Sequence, residues 1–199
     1  MKKVLVIGAT GLIGKNIVKL LEGKFEIISA SYSKGDYKVD ISNPESIKQL
    51  FKKVGNVDYV ICTAGVANFA NWEESTDKEW DFSIKNKMMG QINIARYGEE
   101  YINKGGSIVL TSGLLAQNPM KGSFMVTVVN SAVEAFVRAS EVEISEDIRI
   151  NAVSPGWVKE TMEAMGMESS SGIPAIEVAK IYVNQMENGK SGSIAIASK

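Results

Sequence analysis

The sequence predicts an α/β fold: a single domain over residues 1–199, built as a doubly wound parallel sheet of about seven strands with helices on both faces. Three observations predict it. Short apolar runs alternate with segments of helical periodicity along the whole chain. Most of those runs are continuously apolar, as strands covered on both faces must be. A glycine turn at Gly8, Gly11 and Gly14 joins the first run to the first helix.

The elements follow in order. Lys2–Gly8 is a short buried strand, and Leu12–Gly23 a helix with Leu12, Ile13, Ile17, Val18, Leu20 and Leu21 at helical spacing and a glycine stop. Phe25–Ser31 is a second strand and Tyr37–Ser42 a third. Only Ser31 to Asp36 join these two, too few for a crossover helix, so this edge of the sheet is trimmed. Asn43 caps a helix that has Pro44 at its first position and ends at Gly55. Val57–Gly65 is the fourth strand. Helix covers Thr76 to Asn103, broken once, and Gly106–Gly113 is the fifth strand. Gly122–Ser145 is a long helix, Ile148–Gly156 the sixth strand, Pro174–Glu187 a helix and Gly192–Ser198 the last strand. Met165–Gly172, rich in Gly, Ser and Met, reads as a mobile loop.

Composition narrows the function. At 199 residues the chain can bury a full core, and 45% apolar with 23% charged residues is ordinary for a globular protein. A net charge of −1 gives no footprint for nucleic acid or an anionic membrane. The basic-then-apolar start resembles a signal peptide, but the run Val4–Ile7 is cut by glycine and reads as a buried strand. No apolar run approaches the roughly 20 residues that span a bilayer. The single cysteine, Cys62, forms no internal disulfide and fits a reducing cytoplasm. The chain has no histidine, which removes Ser-His catalysis, histidine metal sites and histidine relays; no metal site is expected.

The glycine turn carries the first functional signal. Gly8, Gly11 and Gly14 stand between a strand and a helix, where a bare backbone can approach a pyrophosphate. Thr10, Gly11, Leu12, Ile13 and Gly14 bring the free N–H groups and positive dipole end of the helix to that anion. The competing reading is a tight turn with no ligand. An NAD site would place an acid at the end of the second strand. Here Ser31, Tyr32, Ser33 and Lys34 stand there, with no acid. Hydroxyls and a lysine suit a 2′-phosphate, so NADP(H) is favoured and NAD(H) remains possible. A plain solvated charge is the alternative for Lys34.

From here the chain resembles the short-chain dehydrogenase/reductase family, nearly end to end, with a Rossmann-like fold. "VDI" resembles the family's aspartate–aliphatic pair, which implies Asp40 and Ile41 at the adenine. "CTAG" stands where the family has Asn-Asn-Ala-Gly, placing Ala64 and Gly65 at the cofactor. Asn86 matches the family's helix asparagine, and Ser112 in "VLTSG" its catalytic serine. "IRINAVSPGWV" is similar to the sixth strand and its nicotinamide-side turn, implying Pro155, Gly156 and Val158. Each has a plainer reading. Asp40 can cap a turn, Cys62 can be a core thiol, Asn86 can satisfy a kinked helix and Ser112 can be an ordinary strand end.

Several features depart from the family. Glu160 holds the expected threonine position, with Thr161 one place late, and the lid segment Lys159–Ile173 is short. The largest departure is in "SFMVTVVNSAVEAF". The family's Tyr-x-x-x-Lys pair aligns with Val126 and Asn130, and no register shift restores it. Valine donates no proton, and an amide lowers no pKa. A positioned acid is worth about 10²–10⁴ in rate, so the expectation is a weakened enzyme. Asn130 either faces the cofactor or bridges to Asn86 or backbone in the core.

The reading is therefore a cytoplasmic NADP(H)-binding oxidoreductase acting on a small carbonyl or alcohol, with Ser112, Asn86 and Asn130 as candidate site residues. The alternative is a catalytically silent dinucleotide-binding sensor or partner-binding protein. The helix Gly122–Ser145 is apolar nearly all round, which implies a homo-oligomer packed through it, or else a helix buried within one chain.

Overall fold

The first strand sets the pattern. Val4 and Val6 pack on one face of the sheet, Leu5 and Ile7 on the other, and all four are fully buried. The computed structural model describes residues 1–199. Its strands are β1 (Lys3–Ile7), β2 (Glu26–Ser31), β3 (Tyr37–Lys38), β4 (Val57–Cys62), β5 (Ile102–Thr111), β6 (Arg149–Pro155) and β7 (Ile194–Ala197). All pairs are parallel, in the order β3-β2-β1-β4-β5-β6-β7. The chain runs outward from β1 to β3, then crosses back to place β4 beside β1. The carboxyl ends of β1 and β4 thus form the switch point where open α/β sheets bind ligands.

The helices are α1 (Leu12–Leu21), α2 (Pro44–Val54), α3 (Asp77–Ser83), α4 (Met89–Gly98), α5 (Phe124–Glu143), α6 (Lys159–Ala164) and α7 (Ala175–Asn188). On one face, Ile17 and Leu21 of α1 and Val178, Tyr182 and Met186 of α7 pack over Val4, Val6, Ile61 and Val153. On the other, Phe51 of α2, Ile94 of α4 and Val133 and Val137 of α5 cover Leu5, Ile7, Val60 and Leu110. Fully burying a side chain of this kind contributes about 1.5–3 kcal/mol. The α2 cap is as expected: the Asn43 side chain accepts from the Glu45 and Ser46 N–H groups.

Three expectations need correction. The third strand starts at Tyr37 as expected but is only two residues long, because its partner β2 ends at Ser31 and the chain turns away at Asp40, whose carboxylate accepts from Ser42. Side chains also hold the turn before the strand. The Ser31 hydroxyl donates to the Lys34 carbonyl and accepts from the Lys34 N–H. Asp36 accepts from both the N–H and the hydroxyl of Ser29 at 2.8 and 2.7 Å. Second, the stretch after Thr76 is not broken. A π-turn, Ile84–Met88, joins α3 to α4, and helix gives way to β5 at Ile102, inside the range read as helical. Third, the alternative of a helix buried all round within one chain does not hold for α5, whose exposure is one-sided. Met125, Val126, Val129, Val133 and Val137 are buried, while Phe124 and Val128 are 42% and 40% exposed. No helix is long and apolar enough to cross a membrane.

Candidate active site

The glycine turn follows β1 directly. Gly8 has φ +89°, and its N–H donates to the Ala30 carbonyl at 2.8 Å. A Cβ on Gly14 would lie 2.1 Å from the Gly8 carbonyl oxygen, so helix and turn are in backbone contact there. No side chain caps α1 at Gly11, and the N–H groups of Leu12, Ile13 and Gly14 meet no acceptor in the chain. Those free donors sit at the positive end of the helix, beside Thr63, whose hydroxyl lies 3.3 Å from the Gly8 carbonyl. A bare, uncapped cradle of this kind fits the pyrophosphate of a dinucleotide.

Around it the predicted adenine-side residues divide. Tyr32 is 77% exposed, and Ser33 and Lys34 are also open. Ser31 is buried with its hydroxyl spent on the turn, so it is less free for a phosphate than expected. The Asp40 carboxylate accepts from the N–H and hydroxyl of Ser42 at 2.9 and 2.7 Å, the turn-capping arrangement. Ile41 is buried, and its side chain packs against Gly65 and Gly90. Ala64 and Gly65 follow β4, with the Ala64 carbonyl held by Gln91 Nε2 at 2.6 Å.

Asn86 lies in the π-turn, and its Oδ1 accepts from the Val66 N–H at 2.7 Å. It anchors the loop after β4. Asn130 does not bridge to it. The Asn130 side chain is 3% exposed, makes no hydrogen bond within the protein, and has a sealed, unpartnered Oδ1. Its Nδ2 is 2.8 Å from where a Cβ on Gly113 would sit. A buried amide oxygen left unpaired costs about 1–3 kcal/mol, which makes Asn130 a candidate ligand contact.

Ser112 requires correction. It is 4% exposed, and its hydroxyl donates to Glu134 Oε1 at 2.9 Å. Gln117 donates to the same carboxylate at 2.6 Å, and Arg138 lies 3.6 Å from it. Ser112 therefore serves a buried polar cluster that holds the β5 end to α5, and Gly113 takes the place beside the cavity.

That cavity, of about 390 Å³, opens between α5 and the turn after β6. Phe69 and Trp157 stack across its mouth, 6.5 Å between centroids. Leu114, Leu115, Met120 and Val126 supply apolar wall; Asn118, Asn130 and Thr161 supply the polar side chains, and none is charged. Pro155, Gly156 and Val158 form its floor. Thr161, one place late in sequence, does line the cavity. Glu160 is used elsewhere, accepting from the Ala175 N–H at the start of α7. Val158 pairs with Ile173, which closes the base of the Lys159–Ile173 segment.

One group escaped the sequence reading. Lys87, next to Asn86, is 7% exposed, and its Nζ donates to the Thr111 carbonyl at 2.8 Å. Burial pushes it down to about 8. The signal for it was the polar stripe Ser83, Lys87, Gln91 at i, i+4 spacing on a helix whose buried face it occupies. Cys62 is an inert core thiol, pushed by burial up to about 11.

Similarity searches agree with this geometry. A family profile for enoyl-(acyl carrier protein) reductase matches residues 12–195. The short-chain dehydrogenase/reductase ATR9 of Stachybotrys chlorohalonatus is 28% identical over 78% of this chain and 73% of its own. The hydroxynaphthalene reductase arp2 of Aspergillus fumigatus is 27% identical, but the match spans only 54% of that protein. Among solved structures, lin1944 of Listeria innocua superimposes with a TM-score of 0.94 at 33% identity, covering 98% of this chain and 99% of that one. A small-chain dehydrogenase in complex with NADPH gives 0.88 at 26% identity, covering 99% and 96%. With a profile match over most of its length and a bare glycine cradle at the switch point of its sheet, the chain belongs to the short-chain dehydrogenase/reductase family.

Proposed function

We propose that the protein binds NADP(H) across the carboxyl ends of β1, β2 and β4 and acts as an oxidoreductase on a small, neutral carbonyl or alcohol. The observation that carries the reading is the uncapped α1 N-terminus at the backbone-to-backbone contact of Gly8 and Gly14. Leu12, Ile13 and Gly14 would hold the pyrophosphate, with Gly8, Thr10 and Gly11 shaping the turn. Tyr32, Ser33 and Lys34 would meet the 2′-phosphate, with Ser31 as their buried hinge. Asp40 and Ile41 would flank the adenine, and Ala64 and Gly65 the adjoining ribose. Asn130, Pro155, Gly156 and Val158 would border the nicotinamide. The bound coenzyme would supply or accept a hydride. The solved relative that carries NADPH supports the phosphorylated coenzyme.

The cavity supports the substrate class. Its walls carry no charge, and Phe69 and Trp157 offer a flat apolar slot. Asn118, Asn130 and Thr161 are the side chains available to orient a carbonyl oxygen. Asn86 acts through the loop it anchors, as a positioning residue.

Val126, which the resemblance aligns with the family's proton donor, lines the cavity, and no tyrosine lines that space. This favours slow turnover and gives weight to a second reading, a dinucleotide-binding protein without turnover. Calorimetry with NADPH and NADH, then NADPH oxidation over neutral aldehydes, ketones and quinones, separates the two. Binding of neither coenzyme refutes the proposal. Tight NADPH binding with no substrate consumed leaves the silent reading. The exposed Phe124 and Val128 on α5 support self-association through that helix.

A further inference from the structure

Lys87 carries a charge that the protein does not balance. It is 7% exposed, and its one protein hydrogen bond is to the Thr111 carbonyl. An ammonium has three N–H donors, so two remain. The backbone alone does not require a cation here. One turn along the same helical stretch, Gln91 accepts from the Thr111 N–H and donates to the Cys62 and Ala64 carbonyls, and it is neutral. An amide at position 87 would satisfy Thr111 without the cost of a buried charge.

Its surroundings point to a ligand. The Lys87 side chain passes Gly65, its Cδ 3.2 Å from where a Cβ would sit, and ends at the carboxyl edge of β5. Two residues further along that edge, Gly113 meets the Nδ2 of Asn130, a buried residue whose Oδ1 has no partner. Spare donors and an unused amide thus converge on one strand end. Ribose hydroxyls donate and accept, and they would satisfy both.

We propose that Lys87, reaching in from the π-turn before α4, supplies the ammonium that grips the nicotinamide-side ribose, opposite Asn130. If Asn130 stands where the family has its lysine, as the resemblance implies, the charge would enter from the neighbouring helix instead of α5. This rests on the dinucleotide-binding reading above. The titratable groups around Lys87 are the Cys62 thiol on β4 and the Tyr182 hydroxyl on α7, which is bonded to the Thr111 hydroxyl and raised by burial. The carboxylate on α5, Glu134, is bonded to Ser112 and Gln117. With burial already holding Lys87 down to about 8, ligand contact raises it, and binding takes up a proton.

The test is calorimetry on the wild type and Lys87→Met with NADPH and with 2′,5′-adenosine diphosphate, which lacks the second ribose. At pH 7 the substitution weakens NADPH binding at least tenfold and leaves the adenosine bisphosphate within twofold. At pH 8.5, in two buffers of different ionisation enthalpy, the wild type takes up a fraction of a proton with NADPH and none with the bisphosphate. That uptake is missing in the variant. Equal weakening of both ligands, or of neither, overturns the proposal, as does wild-type binding without proton uptake. If Lys87→Met does not fold, the wild-type proton count decides alone. A wild type that binds neither ligand removes the dinucleotide reading itself, whereas bisphosphate binding with unchanged NADPH affinity in the variant removes only Lys87.

Discussion

Replacing Gly14 with alanine tests the cradle directly. The new Cβ would stand 2.1 Å from the Gly8 carbonyl oxygen, 2.8 Å from its carbon and 2.9 Å from the Ala9 Cα. All three are backbone atoms, so no side chain can swing aside. Overpacking against a rigid wall costs about 3 kcal/mol at its upper end, and alanine returns about 1 kcal/mol in helix propensity. The net loss of about 2 kcal/mol lowers the melting temperature by about 4–8 °C in a domain of this size. The same displacement moves α1 off the turn, so NADPH affinity falls at least tenfold. Gly23→Ala is the control. Its φ is +75° and nothing lies within 4 Å, so it is strained but clash-free at the far end of α1. Left-handed strain of about 1–2 kcal/mol lowers its melting temperature too, yet binding holds. Thermal melts and coenzyme titrations on both variants decide. Gly14→Ala with wild-type affinity would show that the turn does not hold the pyrophosphate.

Other outcomes follow from the same coordinates. Ser112→Ala loses a buried bond to a carboxylate, about 1.5–3 kcal/mol, and lowers the denaturation midpoint, while any turnover stays within threefold; a hundredfold loss would return Ser112 to the chemistry. Stability has a signed pH dependence. Lys87 is about 8 folded against 10.5 unfolded, so its contribution is full above 10.5 and is lost as pH falls through 8. Cys62 is about 11 against 9.0, so its contribution is full below 9.0 and is lost as pH rises through 11. Urea midpoints therefore rise from pH 8 to 9, level off to about 10 and then fall, as the Tyr182 hydroxyl, which burial also raises, adds its loss to that of Cys62; the rise is absent in Lys87→Met, and a flat wild-type profile contradicts these assignments. Val128→Glu places a charge on the exposed stripe of α5 and shifts light-scattering mass to the monomer, unless the wild type is already monomeric.

Much of the fold was legible because burial on two faces writes itself as unbroken apolar runs, as in Tyr59–Cys62 and Ile108–Leu110. The glycine turn was legible for the same local reason. What escaped depended on side chains meeting across the chain. The length of β3 was set by where β2 ends, at Ser31, and by Asp40 turning the chain onto Ser42, which no periodicity encodes. The π-turn adds a residue to the helical repeat and looks like a break in sequence. Ser112 was placed by motif, but strand alternation turns its hydroxyl to Glu134 and brings Gly113 to the cavity. Lys87 was overlooked because a lysine in a helix reads as solvated unless its neighbours one turn on, Ser83 and Gln91, are also seen as buried.

The brief outer strand has a consequence for how copies of this protein can meet. Most of β2 has no neighbour beyond it, which ordinarily invites another chain to extend the sheet. Asp36 occupies that invitation. Its carboxylate already accepts the Ser29 N–H, and an approaching carbonyl would find a negative charge in the seat. The Ser29 bonds hold that carboxyl below its usual range, so the guard persists into mild acid. Ribbon-to-ribbon polymerisation is thereby hindered on this side, and association is left to the helical faces and to the opposite edge at β7.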